Sequence, residues 1–122
     1  TNQEWAVFLN TRQQGDYQIS RHGWIGDYVD PMTFLDMWVT GGGNNDCGFS
    51  NAEYDKLISD AKVETDAAKR TEMLRKAEDI LMDEMPIIPI YYYTNVRAWN
   101  DNVKGIQCST LGKIYFKGAY KE

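Results

Sequence analysis

At 122 residues the chain is one domain's worth of polypeptide. Its net charge of −5, with no stripe of Lys and Arg, excludes a phosphate backbone as partner, because nucleic-acid sites need a basic face. Hydrophobic residues make up 43% and charged ones 25%, an ordinary balance for a folded chain, but four Trp, eight Tyr and four Phe are many for this length, and aromatic side chains serve both cores and binding surfaces.

The chain begins at Thr1, without an initiator Met, and holds no apolar run long enough to cross a membrane. A processed chain or a piece of a longer one is the expectation. Residues Thr1 to Gln14 predict a helix: Trp5, Phe8 and Leu9 fall on one face of a 3.6-residue period. Thr1 or Asn2 is placed to cap it, Arg12 suits its negative C-terminal end, and Gly15 ends it. Asp16 to Trp24 predicts a strand. Tyr17, Ile19, Arg21 and Gly23 face one way, and Gln18, Ser20, His22 and Trp24 the other. The lone His22 has no second His, Cys or nearby Ser, so it reads as a strand-face residue rather than a ligand or base.

The run from Arg21 to Pro31 is the most unusual in the chain. It sets an indole, a phenol, two carboxylates and two cations between two glycines and a proline. Gly23 and Gly26 lack a Cβ, so a ligand's backbone has room to approach there. Asp27 lies beside Trp24 and Tyr28 and suits a ligand cation in a partly dry site. The plainer reading makes Asp27 and Asp30 turn or cap acids and Trp24 core. Both readings stand on spacing alone.

After Pro31, Met32 to Val39 predicts a short helix through Phe34, Leu35 and Trp38, with Asp30 as cap and Pro31 at its first position. Thr40 to Asp46 is a glycine-rich loop; no Lys-Ser/Thr follows, so a phosphate cradle is not supported. Ser50-Asn51-Ala52-Glu53 matches a capping box. The helix behind it carries Tyr54, Leu57, Ile58 and Ala61 on one face. A second helix, about Asp66 to Met85, has an apolar stripe of Met73, Leu74, Ala77, Ile80, Leu81 and Met85 and a wet face that includes Lys69 and Arg70. The two form a helical hairpin.

Pro86 ends that helix, and Ile87 to Tyr93 predicts a strand buried on both faces. Pro89 restricts it to an edge or a change of partner. Beyond Asn95 come short extended pieces punctuated by Gly105 and Gly112, with a turn at Asn100-Asp101-Asn102 and a strand or coil from Ile114 to Tyr120. Cys47 and Cys108 either pair across a long loop or stand as unrelated thiols; their spacing is not that of a zinc site. Nothing in the sequence asks for a cofactor or a metal.

Taken together these residues resemble a known family. Asn2-Gln3-Glu4-Trp5 with Phe8-Leu9 and Thr11-Arg12, then Gly23-Trp24-x-x-Asp27-Tyr28, Asn44-Asn45, Tyr54-Asp55-x-Leu57-Ile58, Ala77-Glu78 and Pro89-x-Tyr91-Tyr92-Tyr93-x-Asn95 are similar in order and spacing to the C-terminal quarter of oligopeptide-binding proteins, the solute receptors of bacterial ABC peptide importers. The resemblance covers all 122 residues. It implies an α/β (mixed α+β) chain forming the C-terminal part of a two-lobed, type II periplasmic-binding-protein clamshell. Residues 1–94 are then part of the C-terminal ligand-binding lobe, and 95–122 a hinge crossing and tail returning to the other lobe.

It also implies roles. The carboxylate matching Asp27 pairs with the peptide's free α-amino group. Backbone around Gly23, Trp24 and Ile25 bonds the peptide main chain as an added strand would. The residues matching Trp5 and Trp24 line side-chain pockets, those matching Arg12 and Arg21 meet acidic side chains or the peptide terminus, and Tyr93 joins them from the hinge segment. In some members a cysteine tied into a disulfide stands where this chain has Ile25, so that bond is absent here. The implied partners are an oligopeptide and, through the full-length protein, the importer's membrane permease. The implied location is the periplasm or, by a lipid anchor, the outer face of the membrane. The isolated fragment is expected to self-associate through uncovered strand edges.

Three alternatives remain. The same clamshell serves dipeptides, nickel complexes, haem and sugars. A carboxylate-dependent hydrolase would use Asp27 and Asp30 as its pair. A bare interaction domain would use the aromatic surface. No nucleophile–base set supports an enzyme, so the expectation is a binding module.

Overall fold

The computed structural model describes residues 1–122. Four helices come first: α1 (Trp5–Gln13), α2 (Met32–Leu35), α3 (Ala52–Val63) and α4 (Ala67–Glu84). A 3-10 turn, Asp36–Trp38, continues α2. Four two-residue strands follow, β1 (Val103–Lys104), β2 (Gln107–Cys108), β3 (Ile114–Tyr115) and β4 (Tyr120–Lys121).

The core is the helical hairpin. Tyr54, Ile58 and Ala61 of α3 pack on Leu74, Ala77 and Leu81 of α4, the faces that the 3.6-residue period predicts. Met32, Leu35, Met37 and Trp38 close over them from α2 and the turn, and Leu57, Met73 and Ile80 fill the flanks. Phe49 meets the Tyr54 ring edge-on at 5.3 Å. The Tyr54 hydroxyl donates to the Leu35 carbonyl, and burial pushes its phenol well above its ordinary pKa. The short helix therefore rests on α3 through both packing and a buried hydrogen bond.

Several termini differ from expectation. Helix α1 is capped by Glu4, whose Oε2 accepts from Ala6 N at 2.9 Å, not by Thr1 or Asn2. Helix α3 is capped by Asn51, whose Oδ1 accepts from Tyr54 N at 2.9 Å. Ser50 instead bonds Thr40 Oγ1, so the capping box does not form. A side-chain amide oxygen one residue further on takes the capping role and satisfies the Tyr54 N–H. Pro31 is itself the cap residue of α2, and Asp30 Oδ1 accepts from Met32 N at 2.8 Å, which keeps Asp30 in its predicted capping role. Phe34, expected inside, is about half exposed, and Met85, expected in the α4 stripe, sits past the helix end in the left-handed region and is exposed.

The larger corrections concern the extended segments. Residues 16–24 and 87–93 form no ladder, and the chain bends at 18–19 and 86–87. From Tyr17 to Asp27, and again from Pro86 to Trp99, no backbone N–H or C=O bonds another backbone group. Ile87 packs against the core, but Ile88, Ile90 and Tyr92 are largely exposed, so most of the apolar run expected to be buried on both faces is uncovered. A strand exists only through a partner, and this chain supplies none to either segment. The period-two alternation nevertheless holds: Ser20, His22, Trp24 and Gly26 turn inward, while Arg21, Gly23, Ile25 and Asp27 turn out.

In the tail, β1 pairs antiparallel with β4 and β2 with β3. Gly105 makes this possible. Its φ is +73°, and a Cβ there would lie 2.0 Å from the Gly118 carbonyl oxygen. Cys47 and Cys108 are separate, exposed thiols.

Candidate functional site

The turn from Trp24 to Asp27 is held by one buried side chain that the sequence did not flag. Thr33, 2% exposed, lies in α2 beneath the turn. Its Oγ1 accepts from Trp24 Nε1 at 3.3 Å and from Asp27 N at 3.1 Å. Its methyl group lies 3.2 Å from where a Gly26 Cβ would be, with the Phe34 ring at 3.3 Å. What approaches Gly26 closely is thus the protein's own helix. Gly23 faces open space and remains the position where a ligand backbone has room.

Asp30 and Asp27 have different surroundings. Asp30 caps α2 and receives Arg70 Nη1 at 2.8 Å and Nη2 at 2.9 Å, a bidentate pair that holds its carboxyl below the ordinary value. Arg70 Nε also donates to the Ala61 carbonyl at 3.1 Å. Arg70 was expected on the wet face of α4; it instead joins α3, α4 and the turn. Asp30 is therefore a brace, and the hydrolase alternative loses one of its two carboxylates. The Asp27 carboxylate is exposed and makes no hydrogen bond or ion pair with the rest of the chain.

A cleft of about 550 Å³ opens between α1 and residues 16–21, with Trp5, Phe8, Arg12 and Arg21 on its wall. Arg12 is already engaged. Its Nε donates to Asp46 Oδ2 at 2.7 Å, and the Tyr17 hydroxyl donates to the Asp46 carbonyl at 2.8 Å. The pair ties α1 to the loop after the 3-10 turn, where Asn45 donates to the carbonyls of Trp38, Val39 and Phe49. His22 packs at 5.6 Å from the Trp38 ring; burial, then the Arg12 guanidinium, holds its imidazole below its ordinary pKa. His22 thus faces inward, though its segment forms no strand.

Arg21 reaches across to the segment after α4, where its guanidinium donates to the Tyr93 hydroxyl. Tyr91 and Tyr93 have ring centroids 4.7 Å apart. The hydrogen bond from Tyr91, then the one from Arg21, lowers the Tyr93 phenol. So the structure gathers the expected residues into three groups. Trp5, Arg12 and Arg21 border the cleft; Gly23, Ile25 and Asp27 share the outward edge; Tyr93 meets that edge through Arg21. Trp24 stands apart, with its indole directed inward to Thr33 and the core. Thr33, Asp46 and Arg70 were missed because each acts through a partner 6 to 40 residues away, and no spacing rule encodes that.

No three His, Cys, Asp or Glu side chains gather to hold a metal.

No family model matches the chain. Individual proteins do. It is 46% identical over 120 residues to the oligopeptide-binding protein OppA of Bacillus subtilis and 42% identical over 120 residues to the dipeptide-binding protein DppE of the same organism, covering 98% of this chain and 22% of each relative. It is 38% identical over 104 residues to the periplasmic murein peptide-binding protein MppA of Escherichia coli, covering 85% of this chain and 19% of the relative. The solved MppA structure superposes with a TM-score of 0.78 over 86% of this chain and 21% of that one. The chain thus spans about a fifth of the length of the relatives it matches.

The fold is that of a segment of a type II periplasmic binding protein. Within that class the chain belongs with the oligopeptide-binding proteins of bacterial ABC importers, as one segment of their larger clamshell.

Proposed function

We propose that this chain is part of the substrate-binding component of a bacterial ABC importer that captures oligopeptides, and that Asp27 pairs with the peptide's α-amino group. The observation that carries the reading is the Asp27 carboxylate: outward, unpaired, and at the end of an extended edge with open backbone groups. An extended peptide bonds such an edge through main-chain groups common to every sequence, while an ammonium finds the free Asp27 carboxylate at its end. Three relatives named for different peptide ligands share this segment, which suits recognition of what all peptides have in common. The cleft beside Trp5 and Arg21 is then room for side chains, with water adapting to each.

The test is Asp27→Asn in the full-length receptor. Calorimetry with unmodified peptides should show a loss of about 2–4 kcal/mol, roughly 30- to 700-fold in Kd. N-acetylated peptides should bind the unaltered receptor poorly. Equal binding of acetylated and free-amine peptides would overturn the role of Asp27.

The full-length protein works outside the cytoplasmic membrane, in the periplasm or on a lipid anchor, and delivers peptide to the importer's permease. Residues 1–94 form part of one lobe, and 95–122 cross the hinge and return. The 122-residue chain alone covers its open edges by pairing with a second copy. Light scattering at high concentration should show dimers or larger species; a strict monomer would refute the pairing.

A further inference from the structure

We propose that Thr33 is the positioning residue for amine recognition: its buried hydroxyl sets where Asp27 stands. The proposal rests on the role given to Asp27 above. Asp27 is itself exposed, and its carboxylate has no partner in the chain, so its own contacts do not fix it. Its backbone is fixed. Between Tyr17 and Asp27 the N–H groups have no backbone acceptors, and the Asp27 N–H bonds Thr33 Oγ1 at 3.1 Å.

The same oxygen accepts from the Trp24 indole at 3.3 Å. One acceptor thus joins the two ends of the Trp24–Asp27 turn, and the Thr33 methyl fills the space beneath Gly26 between them. Thr33 is anchored in turn. It lies in α2, whose neighbour Leu35 is bonded to Tyr54 of the core hairpin and whose start is braced by Asp30 and Arg70. Rigidity therefore passes from the core to α2, from α2 to one hydroxyl, and from that hydroxyl to the outward carboxylate. A carboxylate carried on a backbone held in place gains affinity because a bound ammonium need not order that backbone. Thr33 touches no ligand in this arrangement; it acts through Asp27 and Trp24.

Replacing Thr33 by Val keeps the branched shape and removes the acceptor. In the full-length receptor, Thr33→Val should weaken a free-amine peptide about tenfold while changing the N-acetylated form of the same peptide less than twofold. Thr33→Ser keeps the oxygen and should restore the free-amine preference to within threefold of the unaltered receptor. A merely structural role predicts equal loss for both peptides and a lowered Tm alone; that result would overturn the proposal. If Asp27→Asn abolishes the preference and Thr33→Val leaves it intact, Thr33 fails and the role of Asp27 survives. If Asp27→Asn itself leaves the preference unchanged, both fail. Should Thr33→Val not fold, amide exchange in the unaltered, peptide-free receptor decides. The Asp27 amide should exchange at least tenfold more slowly than that of Ile25, and equal rates would overturn the assignment.

Discussion

The helical region from Met32 to Leu81 and the extended segment from Pro86 to Trp99 are both rich in apolar side chains, yet every buried residue of the chain lies in the first. Leu74, Ala77 and Leu81 are sealed within it, while Ile88, Ile90 and Tyr92 stand in water. The difference lies in the backbone. A helix bonds its own N–H and C=O groups, so an amphipathic hairpin needs only one neighbour to bury its stripe. An extended segment can bond nothing of its own. Its side chains find cover only when another strand has first taken up its backbone. Hydrophobicity marks what wants burial; which segment achieves it depends on whether its partner lies nearby in the chain.

The largest effect that sharpens this contrast comes from cutting matched side chains in the two regions. Ile58→Ala empties a site that is 1% exposed and should cost about 2–5 kcal/mol in urea unfolding of the chain. Ile90→Ala, at 83% exposed, should change stability by no more than about 0.5 kcal/mol. Comparable losses at both would mean that the extended segment folds onto the hairpin in solution, and the contrast would break.

A smaller effect probes the junction between the helical region and the site. Asp30→Asn should cost about 1–2 kcal/mol, because the Arg70 fork loses its charged acceptor at a partly solvated position. The sign with pH follows from the lowered carboxyl. The ion pair contributes fully above the ordinary carboxylate range, where the unfolded chain's Asp is also ionised. That contribution is lost as the pH falls through the lower folded value. Unfolding followed from neutral to acid pH should therefore show a steeper loss in the unaltered chain than in Asp30→Asn. Parallel curves would remove Arg70 from its role as brace.

The helices were legible because their signals are local. Tyr54, Ile58 and Ala61 recur at helical spacing, and Asp66 and Pro86 bound α4 where turn chemistry puts them. The cap of α3 was misplaced by one residue because Ser50 and Asn51 are both good caps, and only the fold selects between them. The alternation of residues 20–26 was also legible, though its partner strand is not supplied by this chain. At the site, Asp27 and Gly23 stood out by residue type. Thr33 and Arg70 did not, since a threonine in a short helix and an arginine in a charged one have no unusual neighbours in sequence. Their roles arise when residues 24 and 33, or 30 and 70, become adjacent in space.

Gly105 shows the reverse of the usual link between exposure and freedom. Water reaches it, yet the carbonyl of Gly118 occupies the space where any side chain would begin, and its backbone takes the left-handed turn that L residues avoid. The vocabulary at this surface position shrinks to one residue type. A map of accessible area would mark it as the most permissive kind of site, when it is among the least.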